Sequence, residues 1–324
     1  MNWNGKLLLE QFLPSVIKYS KEASIYVADN ASTDDSVTFL NSNFPQIKVI
    51  QNIENGGYAK GYNDALKNLN EDIFCLLNSD VEVTEGWLKP IIETFNSFST
   101  KECAIIQPKI KDFKNKSYFE YAGAAGGFID KFGYPYCKGR LFNTLEKDML
   151  QYNGTYNIFW ASGACLFIRS KTFKSINGFD ESFFAHMEEI DLCWRLQNLG
   201  YNIKCVTESI VYHVGGASLD NQDPKKTFLN FRNSLYTLVK NAKGNIIYLI
   251  MVRLILDGVA GLKFLLELKP KHTLAIINAH LSFYNNFRRL IKQRKSITPK
   301  AKYYKISSIV YTYFFKHKTT YNSL

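Results

Sequence analysis

Ile25-Tyr26-Val27-Ala28-Asp29-Asn30-Ala31-Ser32-Thr33-Asp34-Asp35-Ser36 passes from an apolar run straight into a polar cluster. The transition recurs where Ile73 to Leu77 meets Asn78-Ser79-Asp80, and polar clusters return at Glu188-Glu189-Ile190-Asp191 and at His213. Strands that stop at carboxylates place negative charge in the crevice beyond a sheet's carboxyl edge, where open α/β folds bind ligands. Such a crevice repels a nucleotide unless a cation stands between the acids and the phosphates. The pattern therefore implies a metal–nucleotide site.

Outward from that stretch, residues 4–70 alternate between helix and strand. Leu7, Leu8, Phe12, Val16 and Ile17 recur at helical spacing. A strand over Ser24 to Ala28, a helix over Asp34 to Asn41 and a strand over Ile47 to Gln51 follow. Gly57 to Leu69 reads as a helix and Asp72 to Leu77 as a strand, so the alternation predicts a doubly wound, mainly parallel, Rossmann-like α/β sheet. Ser32 with Asp35, and Thr84 ahead of a helix over Glu85 to Phe98, are expected helix caps. Tyr118 to Tyr136, rich in Gly and aromatic residues, suits a hairpin or loop insertion. Tyr156 to Ile168 reads as strand broken at Ser162-Gly163, and Glu188 to Leu199 as a helix closed by Gly200. Ile203 to Val206 and Ile210 to His213 read as two short strands.

The 324 residues carry a formal charge of +11, unevenly divided. Residues 1–224 hold 21 Lys and Arg against 27 Asp and Glu, whereas residues 225–324 hold 19 against only Asp257 and Glu267. An acidic body with a basic tail points to an anionic surface as the tail's partner, membrane or nucleic acid. Ile246 to Leu266 has the length of a membrane span, but Arg253, Asp257 and Lys263 interrupt it in one helical sector. Each charge costs roughly 2.5–3.5 kcal/mol at a bilayer centre, which argues against crossing. A helix lying in the membrane interface fits better, with Lys269, Lys271, Arg288, Arg289, Lys292, Arg294 and Lys295 near anionic lipid. An amphipathic helix packed on its own domain is the alternative. The six cysteines form no C-x-x-C pair and are expected as reduced thiols, and Met1 to Gly5 lacks the apolar core of a signal peptide.

The chain resembles the bacterial family 2 glycosyltransferases, inverting enzymes of GT-A fold, and within them the rhamnosyltransferase-like members that build cell-surface polysaccharide. The matching segments begin with Asn2-Trp3-Asn4-Gly5, Val27 to Asp34, Asn55-Gly56-Gly57-Tyr58-Ala59-Lys60-Gly61-Tyr62-Asn63 and Leu77-Asn78-Ser79-Asp80-Val81. They continue with Ala161-Ser162-Gly163-Ala164, Gly178-Phe179-Asp180-Glu181, Glu188 to Arg195 and Tyr212-His213-Val214-Gly215-Gly216. The resemblance implies a catalytic domain over residues 1–224; the apolar, basic texture of 225–324 reads as a helical, membrane-associated region. The family normally opens with an apolar strand just before the Asn-Trp-Asn segment, where Met1 stands here, so a missing first strand is expected.

The resemblance places Asn2, Asp29, Asn55, Gly57, Asn78 and Asp80 around the donor nucleotide, with Asp29 on the base. Asn78-Ser79-Asp80 stands where the family carries its Asp-x-Asp variant. Asp80 would bind Mg2+ or Mn2+, whose oxygen-rich coordination takes in the donor phosphates, and His213 would join it. Glu188-Glu189 opens a helix, whose dipole favours ionised carboxylates. Glu189 falls on the family's base, with Asp191 as the competing candidate. Arg195, at i+4 from Asp191, could pair with it. Trp160, Ser162, Gly163, Glu188 and Arg195 are expected around the acceptor or sugar. Gly57 and Gly61 make a bare helix face rather than a dinucleotide fingerprint.

The implied activity is metal-dependent inverting transfer of a sugar, from dTDP-rhamnose or a UDP-sugar, to a lipid-linked or glycan acceptor at the cytoplasmic membrane face. The rivals are nucleotidyl transfer, which usually shows a Gly-rich basic loop that this sequence lacks, and a nucleic-acid-binding protein with a basic tail. The tail is apolar as well as basic, which favours a lipid surface over nucleic acid.

Overall fold

The computed structural model describes residues 1–215, 223–297 and 302–324; Gly216 of the last motif lies outside them. In chain order the first part comprises α1 (Lys6–Tyr19), β1 (Tyr26–Asp29), α2 (Ser36–Asn43), β2 (Lys48–Gln51), α3 (Gly57–Leu66), β3 (Ile73–Leu77), β4 (Val81–Val83) and α4 (Leu88–Ser97). Then come β5 (Ile105–Asp112), β6 (Gly127–Ile129), β7 (Pro135–Cys137), β8 (Arg140–Leu141), β9 (Thr144–Leu145), β10 (Thr155–Ile158), β11 (Cys165–Arg169) and α5 (Ser170–Ser175). The chain continues through α6 (Glu188–Asn198), β12 (Ile203–His213), α7 (Pro224–Asn241), α8 (Ile246–Leu266), α9 (Pro270–Ile297) and α10 (Ile309–Phe314).

The principal sheet runs β10-β12-β5-β11-β3, with β4 added on β12. It is mixed, not mainly parallel: β12 is parallel to β5, but β11 is antiparallel to both β3 and β5. The reason is the connection. Between β5 and β11 the chain passes only through short strands, without the crossover helix that a parallel neighbour needs. Residues 203–213 form one strand, not two, because an irregularity between Val206 and Ile210 shifts the register while pairing with β5 continues. Successive residues of β11 alternate faces: Leu166 and Ile168 enter the larger core, and Cys165 and Phe167 join Trp87, Ile91 and Phe95 beneath α4.

β1 and β2 form a separate parallel pair. Asn2 bridges Asp29 in parallel, and the Met1 ammonium donates to the Leu77 carbonyl at 2.9 Å, so residues 1–2 lie between β1 and β3. The expected caps are used otherwise. The Ser32 hydroxyl donates to Asp29, and Thr84 Oγ1 donates to the Ile210 carbonyl. The insertion is a small antiparallel sheet, β6-β7-β8-β9, against which the C-terminal residues pack: Tyr304 bridges Ile129, and Asp130 accepts from the Ile309 amide.

Helices α7 to α9 share the larger core, to which they contribute Leu235, Leu238, Leu249 and Phe283. On α8, Arg253 and Asp257 of the charged sector face inward and pair at 2.7 Å, with Tyr134 and His280 beside Asp257, whereas Lys263 stays exposed. The apolar sector is left outside, with Ile247, Met251, Ile255, Val259, Leu262 and Leu266 exposed. No helix among the described residues is long and apolar enough to cross a membrane. The cysteines are free thiols, all but Cys75 buried.

Candidate functional site

The pairing of β4 with β12 sets His213 opposite Val81 and so brings the preceding Asp80 beside the imidazole. His213 Nε2 lies 3.2 Å from Asp80 Oδ1, and Nδ1 lies 3.3 Å from Glu120 Oε1 without the alignment of a hydrogen bond. All three side chains are buried. Burial would push the imidazole down, but hydrogen bonding to Asp80 and the neighbouring Glu120 raise it to about 10. For Asp80 burial acts upward, and the His213 partnership outweighs it and holds the carboxyl below its ordinary value.

These residues suit a divalent cation. A carboxylate oxygen and an imidazole nitrogen converge, and a second carboxylate backs the far ring nitrogen, as outer carboxylates do behind metal-bound histidines. Among the described residues no cluster of three or more His, Cys, Asp or Glu forms a self-sufficient metal cage. Two protein donors leave room for phosphate oxygens and water, which is how Mg2+ is commonly held beside nucleotides. Sequence reasoning missed Glu120. Its signal was available, since Glu120 is the only charged residue in residues 117–129.

At the nucleotide end, Asp29 Oδ1 accepts from the Ser32 amide, and Oδ2 accepts from Asn2 Nδ2 and the Ser32 hydroxyl. A carboxylate offers about four acceptor positions, so one on Oδ1 remains for a ligand N–H. Asn55 Oδ1 accepts from Asn30 Nδ2 and from the Gly57 amide, which closes the turn into α3. Gly57 has φ +77°, and a Cβ there would collide with the Phe184 carbonyl, so glycine serves close approach of two loops. Asn78 donates its backbone N–H to Ala164.

Glu188 and Glu189 open α6 after a loop in which Phe184, His186 and Met187 all have positive φ. Non-glycine residues held in that region store strain that surrounding contacts must support. Here the contacts come from α7. Asn233 Nδ2 donates to the carbonyls of Phe183, Ala185 and His186, and Arg232 Nη2 donates to those of Ser182 and Phe183. Burial raises Glu189 to about 7, overcoming the backbone N–H groups of the first helical turn. Burial first, then the charge of Glu189, push Glu188 well above the ordinary carboxylate range. Both acids are therefore raised, and the pair as a unit keeps a proton near neutrality. Tyr58 lies in electrostatic range of both, and its hydroxyl donates to the Gly163 carbonyl at 2.7 Å. Ser162, whose amide donates to Gln107 Oε1, is buried under Gly123.

Three candidates belong elsewhere. Asp191 is fully buried, and its carboxylate is engaged by Arg195 at 2.8 Å, Lys240 at 2.9 Å and Asn241 at 2.8 Å, which leaves no access for a substrate proton. Arg195 also donates to the carbonyls of Ile176 and Gly178, so it clamps the loop before α6 rather than lining a sugar pocket. Trp160 is core: its indole N–H donates to the Phe128 carbonyl, and its ring lies against Gly127 in the space a Cβ would fill.

Comparison with known proteins accords with this arrangement. The N-acetylglucosaminyl-diphospho-decaprenol L-rhamnosyltransferase of Mycobacterium tuberculosis is 25% identical over 244 residues, spanning 70% of this chain and 78% of that protein. The crystal structure of GalNAc-T7 with UDP, GalNAc and Mn2+ superposes with a TM-score of 0.58 at 15% identity, over 74% of this chain and 46% of that one. The mannosyltransferase PcManGT from Pyrobaculum calidifontis, in complex with GDP-Man and Mn2+, covers 92% of this chain and 83% of its own at TM-score 0.51 and 12% identity. At such identities these structures speak to the fold, a GT-A glycosyltransferase architecture with a mixed sheet. The family model Glycosyl transferase family 2 matches residues 2–175, more than half of the chain. With that match added to the geometry, the chain belongs to glycosyl transferase family 2 and is a glycosyltransferase.

Proposed function

We propose that this glycosyltransferase moves rhamnose from a deoxythymidine diphosphate donor, or a related sugar from a uridine diphosphate donor, onto a lipid-linked or polysaccharide acceptor. The transfer inverts the anomeric centre and serves cell-surface glycan synthesis at the cytoplasmic face of the membrane. The observation that carries the reading is the pair of buried Glu188 and half-buried Glu189 at the head of α6, with Glu189 raised to about 7, together with a separate Asp80–His213–Glu120 cluster. An acceptor hydroxyl needs a base that accepts its proton near neutrality, and a diphosphate leaving group needs positive charge.

Asp80 and His213 would hold Mg2+ or Mn2+, which when bound supplies Lewis-acid neutralisation of the departing diphosphate. Glu189 takes the acceptor proton, while protonated Glu188 keeps a second negative charge out of the crevice. Asp29, fixed by Asn2 and Ser32, offers its remaining acceptor position to the base. The rhamnosyltransferase relative, whose name contains a diphospho-decaprenol acceptor, favours rhamnose and a lipid carrier.

The membrane reading rests on α8 and α9. Ile247, Ile255 and Leu266 are 69%, 65% and 78% exposed, and Leu274, Ile277 and Leu281 extend the patch on α9. Exposed Lys263 on α8, Lys269 in the connection and Lys271 on α9 lie along the same helix pair. Apolar side chains flanked by lysines suit insertion into an anionic interface. Residues 1–224 would then be the catalytic domain and 225–324 its membrane-facing part, joined through one core. The test is incubation with dTDP-rhamnose or UDP-sugars, Mn2+ and a prenyl-diphosphate-linked sugar, reading the product's anomeric configuration by NMR. An inverted glycosidic product is expected; pyrophosphate release, or retention of configuration, would refute the reading.

A further inference from the structure

Arg140 is a buried cation without an ion-pair partner, although the charge of Glu120 reaches it. Its side chain is 7% exposed, yet no Asp or Glu oxygen among the described residues forms an ion pair with it. Comparably buried Lys109, Lys240 and Arg253 each have one, in Asp148, Asp180 with Asp191, and Asp257. Arg140 Nη2 reaches only the Cys137 sulfur at 3.5 Å, a weak acceptor, and Nε is buried with no partner. The guanidinium lies over the Tyr121 ring, 4.5 Å from its centroid, which fixes its plane without using its donors.

The position is as informative as the vacancy of its donors. Arg140 stands on β8, opposite Cys137 of β7, and follows Gly139, where the Phe119 ring fills the space a Cβ would need. Phe119 directly precedes Glu120, the carboxylate behind His213. The Cys137 thiol that touches Arg140 feels the charges of both Glu120 and Glu189. The unpaired guanidinium therefore belongs to the same neighbourhood as the metal-suited cluster and the candidate base. An unpaired buried charge is costly to folding, and a planar fork of N–H donors matches phosphate oxygens in pairs.

We propose that Arg140 binds phosphate oxygens of a diphosphate brought to the transfer site. The inference rests on the sugar-transfer reading and adds to it a phosphate contact separate from the Asp80–His213 pair. Two substrates of that reaction carry the group: the nucleoside diphosphate donor and the lipid-linked acceptor. Tyr121, half exposed beneath the guanidinium, leaves an approach from solvent.

The experiment uses the full chain and its Arg140→Gln and Arg140→Lys variants. Calorimetry measures binding of UDP or dTDP with Mn2+ in one arm and of farnesyl diphosphate in the other. Arg140→Gln is expected to weaken at least one arm about tenfold, with Arg140→Lys between it and the wild type, as for loss of a charge-assisted hydrogen bond. The weakened arm identifies the source of the phosphate. The ligand-free melting temperature of Arg140→Gln should stay level or rise, because a buried charge with no ion-pair partner has been removed. Unchanged binding in both arms overturns the proposal, as does a ligand-free Tm lowered by more than about 4 °C, which would show the guanidinium holding the fold. A wild-type chain that binds neither probe overturns the transfer reading together with this one; wild-type binding that Arg140→Gln retains overturns this one alone.

Discussion

The side-chain amide of Asn233, on α7, donates to the carbonyl of His186 at 2.7 Å, two residues before Glu188. A residue from the basic, apolar C-terminal hundred thus holds the loop that aims the acidic pair. Lys240 and Asn241 repeat the link two turns further along α7, through Asp191 of α6. The C-terminal helices therefore share in positioning the site.

Asn233→Ala takes this donor from the half-buried carbonyls of Ala185 and His186, while Phe183 keeps Arg232, and should cost about 2 kcal/mol of stability. Because the released loop carries positive-φ residues, kcat should fall more than KM rises. Denaturant unfolding and steady-state kinetics at a temperature where the variant stays folded check both. An unchanged kcat would sever the loop from catalysis.

The acidic pair has a pH signature. Glu189 is raised to about 7, so the ionised base accumulates as pH rises through neutrality, and kcat/KM should climb with it. Glu189→Gln should lower turnover about a thousandfold while donor affinity holds. Glu188→Gln, which replaces an acid already neutral, should keep the ascending limb near the same pH. A limb that stays in the Glu189→Gln variant would assign the proton to another group.

The Asp80–His213–Glu120 cluster predicts graded metal affinity. Glu120→Gln removes the charge behind the imidazole and should weaken Mn2+ binding about 10–100-fold, with Asp80→Asn at least as damaging. Electron paramagnetic resonance of free against bound Mn2+ reads this without turnover. Equal affinity in all three proteins would show that the ion sits elsewhere.

The outward apolar face of α8 and α9 predicts binding to anionic vesicles that weakens with salt. Ile255→Glu with Leu262→Glu should cut the bound fraction about tenfold or more, since each removes roughly 1.5–3 kcal/mol of apolar burial. Both side chains are exposed, so melting temperature should barely change. Sedimentation with vesicles containing phosphatidylglycerol makes the comparison, and undiminished binding by the double variant would rule out this face.

The strand-to-carboxylate transitions at Asp29 and Asp80 were legible because a period-two apolar run and its polar stop are local patterns. Helix α8 was readable to its ends for the same reason, but of the three charges placed in one sector Arg253 and Asp257 turn inward and Lys263 stays exposed. The i+4 spacing likewise anticipated the Asp191–Arg195 pair. Trp160 and Asp191 were placed in the site because residue type suggests chemistry, whereas burial against Gly127 and Lys240 is a property of distant partners. Glu120 was marked only as an isolated charge, and Arg140 went unnoticed because nothing near it in the chain marks its neighbours.

By itself the amino-acid order determined the alternation of elements, the family motifs, the acidic edge and the basic, apolar C-terminal part, all consequences of spacing over a few residues. Tertiary structure decided the direction of β11, the inward turn of Arg253 and Asp257, and which carboxylates stand free and which are tied. Those outcomes depend on segments about 40 to 180 residues apart coming into contact, and desolvation there sets whether a carboxyl is a base, a ligand or a strut.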